Sequence, residues 1–137
     1  LKENIERLQP ALTVEELAQI QELARTDVKL SHDVIHLMNA ITVATRPSDA
    51  SYPAEALDAS GIGREVISKS GGVSSRASSF WPPLLRAHAL FHGRQEVVPF
   101  DVFATAYPML THRIETNYPV DMKQLIHLIL RERGYAY

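Results

Sequence analysis

Apolar residues recur along this chain mostly at helical spacing, and polar or proline-bearing stretches divide them into segments. Val14, Leu17, Ile20, Gln21 and Leu23-Ala24 form one stripe with Gln19 and Glu22 opposite, and Thr13-Val14-Glu15-Glu16 has the spacing of a capping box. A helix from Thr13 to about Ala24 is expected. Val28-Lys29-Leu30 alternates as an extended piece, after which Ser31 can cap a helix running to about Thr45 and burying Val34, Leu37, Met38, Ile41 and Ala44. Pro47 ends it. Upstream, Leu1, Ile5 and Leu8 are spaced as on a helix that Pro10 stops. Residues 1–10 read as the connection from a preceding domain, so the chain is expected to be a piece of a longer protein.

Residues 47–63 concentrate Ser, Asp, Pro and Gly at both ends, the composition of a surface excursion. Arg64 to Ser70 returns toward the core through Val66 and Ile67, as helix or as strand. The next helix carries Leu84, Leu85, Ala87, Ala89, Leu90 and Phe91 and is closed by Gly93. Trp81-Pro82-Pro83 interrupts its pattern, since an internal proline costs about 3 kcal/mol. Either the helix kinks there, or a new helix begins at Pro82. Val97-Val98 is a short extended piece, and Pro99 or Asp101 opens a helix with Val102, Phe103, Ala106, Met109 and Leu110, distorted at its end by Pro108. Pro119-Val120 starts a last helix over 119–134, with Leu125, Ile126, Leu128, Ile129 and Leu130 apolar and Gly134 as its stop. The fold class is therefore all-α, a compact bundle of about five or six helices with at most two very short strands.

Composition narrows the functional classes. The 137 residues make about one domain, and 45% hydrophobic with 22% charged residues is ordinary globular usage. A net charge of -2 argues against nucleic acid or an anionic membrane as partner. No apolar run reaches the roughly 20 residues of a membrane span. The absence of cysteine excludes disulfides and thiolate metal sites and favours a reducing compartment, so a cytoplasmic location is expected.

The candidate chemistry lies at Gly71-Gly72-Val73-Ser74-Ser75-Arg76-Ala77. Paired glycines reach backbone angles closed to other residues, and Ser74 directly after them can cap a new helix. Arg76 then falls in the first turn, where the helix dipole disfavours a cation. An anion resolves that conflict, because free N–H groups and an arginine together hold phosphate or carboxylate oxygens. The plainer reading leaves Arg76 on a solvated face or paired with a local carboxylate.

Gly72-Val73-Ser74-Ser75-Arg76-Ala77, an alanine- and leucine-rich helix ending in Gly93-Arg94, then Val97-Val98-Pro99-Phe100-Asp101-Val102 and Leu110-Thr111-His112-Arg113-Ile114, resemble the lid domain of MoxR-type AAA+ ATPases. Ala44-Thr45-Arg46 resembles a further landmark of that lid, and the resemblance runs from about Leu12 to Ile114. It implies a helical lid over 11–137 attached to an N-terminal ATPase core. It also implies that Arg76 is the sensor-2 arginine, reaching with Ser74 and Ser75 toward the terminal phosphates of ATP and its Mg2+ held by that core. Ser75 stands where the family usually has proline, and 47–63 looks like an insertion. Hexameric neighbours and a client protein, often one with a von Willebrand A-type domain, are the implied partners.

No Gly-x4-Gly-Lys-Ser/Thr loop occurs, so the chain alone is not expected to hydrolyse ATP. His32 and His36, and His88 and His92, are four apart and could chelate a metal, but neither pair has the supporting ligands of a known motif, and no metal is expected. Arg94 is expected to satisfy carbonyls at its helix end, and Phe80 and Trp81 to pack in the core. The alternative from another class is a stand-alone helical module that binds a protein through 47–63 or the last helix.

Overall fold

A computed structural model describes residues 7–46, 66–68 and 72–132. Five helices are found there: α1 (Val14–Thr26), α2 (His32–Ala44), α3 (Arg76–Phe91), α4 (Pro99–Leu110) and α5 (Met122–Glu132). No strand occurs among the described residues, only two isolated bridges, Lys29 with Glu96 in parallel and Ile67 with Thr116 antiparallel. The expected excursion at 47–63 lies outside the described residues, as does residue 134. Of the expected helix over 1–9, only residues 7–9 are described, and they are exposed and non-helical.

α3 is the centre of the bundle and packs on α1, α2 and α4, while α5 closes the far side against α2 and α4. Ala77, Trp81, Leu85 and Ala89, each four residues after the last, are all fully buried and form its inner edge. Met38 and Ile41 of α2, Val102, Ala106 and Leu110 of α4, and Ile126 and Ile129 of α5 meet them in one core. Leu84, Ala87 and Phe91, which composition alone would have buried, face outward.

α3 runs unbroken through Pro82 and Pro83. The two prolines withdraw the N–H groups that would bond the carbonyls of Ser78 and Ser79. Both serines are exposed, so water can take those carbonyls, while Trp81 anchors the same turn from the inside. α4 tolerates Pro108 similarly, since Ala104, whose carbonyl loses its partner, is exposed. At the end of α3, Gly93 takes φ +72. Its N–H bonds the Leu90 carbonyl and that of Arg94 bonds the Ala89 carbonyl, both at 2.9 Å, which is a Schellman ending.

The remaining ends show which polar side chains decide the boundaries. Thr13 and Glu16 form the reciprocal capping box, each bond 3.1 Å, and Ser31 Oγ accepts the Val34 N–H. α5 begins at Met122 and not at Pro119, because Asp121 is the residue that caps it: its Oδ1 accepts the N–H groups of Lys123 and Gln124. Residues 66–68 are neither helix nor strand. Ser68 N–H bonds the Glu115 carbonyl and Asn117 N–H the Val66 carbonyl, which holds buried Ile67 beside Thr116.

Candidate functional site

The start of α3 is held by the end of α2. Thr45 Oγ1 donates to the Thr42 carbonyl at 2.7 Å and accepts the Val73 N–H at 3.0 Å, while Arg46 Nε donates to the Val73 carbonyl. Both backbone groups of fully buried Val73 are thus tied to two consecutive residues of α2's end. Gly72 permits the approach. A Cβ there would stand 2.6 Å from Arg46 Cγ, 2.7 Å from the Thr45 carbonyl oxygen and 2.9 Å from Arg46 Cα. Two landmarks far apart in sequence, Ala44-Thr45-Arg46 and Gly72-Val73, are one joint in the structure.

From that joint the chain presents Ser74, Ser75 and Arg76 to solvent, while Ala77 turns inward. The helix starts later than the sequence suggests, at Arg76. Ser75 is already helical (φ -58, ψ -20), and no side chain caps the end. Ser74 contributes its carbonyl instead of its hydroxyl, accepting the Ala77 N–H at 3.0 Å, and the Ser75 carbonyl accepts Ser78 N–H at 3.1 Å. Among the described residues Arg76 has no hydrogen-bond or ion-pair partner. An exposed guanidinium therefore sits beside an uncapped, dipole-positive helix end, and the arrangement can hold an anion.

The other landmarks are structural. Arg94 does not cap the α3 carbonyls as its position suggests; its Nη1 and Nη2 grip Asp101 Oδ2 and Oδ1 at 2.7 and 2.6 Å. Asp101 also accepts the Val98 N–H at 2.8 Å and the His88 Nδ1–H at 2.6 Å. Burial by itself would push the Asp101 carboxyl up, but the bonds from Arg94, Val98 and His88 outweigh it and lower it to about 2. Gly93-Arg94 and Val97-Val98-Pro99-Phe100-Asp101 are therefore two halves of one clamp that fixes the turn from α3 into α4.

That clamp also occupies one of the histidine pairs. His88 serves Asp101, and the His92 ring packs at 4.5 Å from His88 and 6.3 Å from Phe100. His32 and His36 are exposed, and no group of three or more metal-ligating side chains occurs among the described residues. Of the aromatic pair, Trp81 is buried with Nε1 donating to Thr105 Oγ1 at 2.8 Å, whereas Phe80 is exposed. Arg113 Nη1 donates to the Met109 carbonyl at 2.9 Å and so ties down the end of α4, while His112 is exposed. The polar role of Thr105 had no signal in the sequence beyond its position four residues after Asp101.

Residues 64–126 match the family model of the AAA lid domain. The match spans a little under half of the chain and contains the α3 start, the Arg94–Asp101 clamp and Arg113. A crystal structure of a candidate ATPase from Cytophaga hutchinsonii is similar to the chain with a TM-score of 0.71 and 29% identity, covering 86% of this chain. These matches support an AAA+ lid domain. The chain spans 34% of the length of that Cytophaga structure. No curated protein matches the chain. Within the bundle, the α2–α3 joint and the Arg94–Asp101 clamp set the two ends of the central helix, and Arg76 lies at the end left open. No helix among the described residues is long and apolar enough to cross a membrane.

Proposed function

We propose that this chain is the C-terminal lid of a MoxR-like AAA+ ATPase and that Arg76 is its sensor-2 arginine. In this reading a P-loop core preceding the lid holds ATP and Mg2+. Arg76, with the open α3 N-terminus and the neighbouring Ser74 and Ser75, faces the terminal phosphates. The guanidinium offsets negative charge that develops on the transferred phosphoryl group, and its grip on the nucleotide couples hydrolysis to rotation of the lid. The motion would serve chaperone-like remodelling of a client, with a von Willebrand A-type protein the expected kind, within a ring of about six subunits.

The observation that carries this reading is Arg76, unpaired among the described residues, beside an uncapped helix end and inside the segment matched by the lid family. Burial and pairing would have argued against a role at phosphate; this residue has neither. The test is ATP turnover by the full-length protein, wild type against Arg76→Ala, with circular dichroism on both. Loss of one such donor is expected to lower turnover by about 10²–10³ with an unchanged spectrum. Equal turnover would remove Arg76 from the nucleotide.

A further inference from the structure

α1 is a helix whose apolar stripe is mostly uncovered. Of its thirteen residues only Ala24 is buried, while Leu17, Ile20 and Leu23 remain exposed where α1 runs beside α3. Opposite them α3 presents Arg86, Leu90 and Phe91, the last 90% exposed. Between the two helices lies a groove of about 750 Å³. Its walls, residues 17–25 and 83–91, are each about 12 Å long at the helical rise, roughly two turns. A stripe with this spacing forms to be covered, and single exposed leucines would need no explanation whereas a contiguous set along a groove does.

Charge selects what covers it. Among the described residues, the charged side chains that line the groove are both arginines, Arg25 and Arg86. Arg25 is already paired with Glu22 at 2.7 Å. Arg86 has no such partner among the described residues, and its Nε is buried. Nε is enclosed, so an incoming carboxylate would meet the terminal nitrogens of the guanidinium, and a carboxylate is the acceptor that best satisfies such a group. We infer that the α1–α3 groove docks an acidic amphipathic helix of a protein partner, with apolar side chains between Leu17, Leu23 and Phe91 and a carboxylate on Arg86. The mode is a helix laid into a groove. It uses neither Arg76 nor nucleotide, so it stands or falls separately from the sensor reading.

The experiment uses this chain and three labelled helical peptides of roughly 14 residues. All carry leucines along one face at three- and four-residue spacing. The bordering positions are Glu in the first, Gln in the second and Lys in the third. Fluorescence anisotropy should show binding of the Glu peptide, about tenfold weaker binding of the Gln peptide and weaker still of the Lys peptide. Arg86→Gln should abolish the preference for Glu over Gln, and Leu17→Asp or Phe91→Asp should abolish binding of both. These side chains lie outside the core, and circular dichroism checks that each variant folds. Failure of all three peptides to bind, equal binding of the Glu and Lys peptides, or binding that survives Phe91→Asp would overturn the proposal. So would sedimentation showing a dimer that Phe91→Asp disperses, since a second copy would then own the groove.

Discussion

Arg94 and buried Asp101 face each other fork to fork across the α3–α4 turn, with the two nitrogen–oxygen distances at 2.7 and 2.6 Å. The carboxylate is fully enclosed and the arginine side chain 30% exposed, so the pair is anchored from inside. Removing the arginine would strand a buried charge. Arg94→Ala is therefore expected to cost about 3 kcal/mol in denaturant unfolding, whereas Asp101→Asn, which keeps an acceptor for Val98 N–H, should cost less. The two together should cost clearly less than their sum; additivity would show that the pair does not act as a unit.

The same carboxylate imposes a pH dependence. Its folded pKa of about 2 lies below the ordinary 3.8, so between those values the unfolded chain binds more protons and stability falls as pH falls. The contribution is fully present above about pH 4 and is lost on descending through pH 2, and the gap between the two values corresponds to about 2 kcal/mol. Unfolding midpoints measured from pH 5 down to pH 2 should show this loss, and Asp101→Asn should flatten that part of the profile.

Gly72 is required by contact and not by backbone angle. Gly72→Ala would drive a methyl into Arg46 and the Thr45 carbonyl, so the α2–α3 joint must open. A destabilisation of about 1–3 kcal/mol is expected. In the full-length protein, ATP turnover should fall even though Arg76 is untouched, because the start of α3 moves. Wild-type stability and turnover in this variant would show that the joint is not needed.

Thr105 holds two elements with one hydroxyl. It accepts from Trp81 Nε1 and donates to the Asp101 carbonyl at 2.7 Å. Thr105→Val keeps the shape but leaves the indole N–H buried without a partner, at an expected cost of about 1–3 kcal/mol in thermal unfolding. Adding Trp81→Phe removes the orphaned donor and should return part of that loss.

Much of the helical bundle was legible from one dimension because its determinants are local. The Thr13–Glu16 box, the Ser31 cap, the Gly93 ending and the three- and four-residue spacing of apolar side chains act within a few residues of where they are written. Two features were left open or misread, for equally physical reasons. Pro82 and Pro83 left a kink or a fresh helix open, and one helix runs through them because their cost falls on carbonyls open to water while Trp81 and Leu85 hold it from within. Pro119 read as a helix start, yet the side chain that satisfies the first N–H groups of α5 is that of Asp121.

The functional residues divide along the same line. By its own order of residues the sequence determined that Arg76 stands in the first turn of a helix after a glycine pair, and that Arg94 and Asp101 stand seven positions apart. Only the tertiary structure decided that Thr45 and Arg46 grip Val73 across 28 and 27 residues of chain, that Arg94 turns to Asp101 and not to its own helix end, and that Arg76 keeps no partner among the described residues. The reason is one of range. Caps and helical periodicity are settled by neighbours in sequence, whereas the partner of a charge is settled by which distant segment the packed core brings within about 3 Å of it.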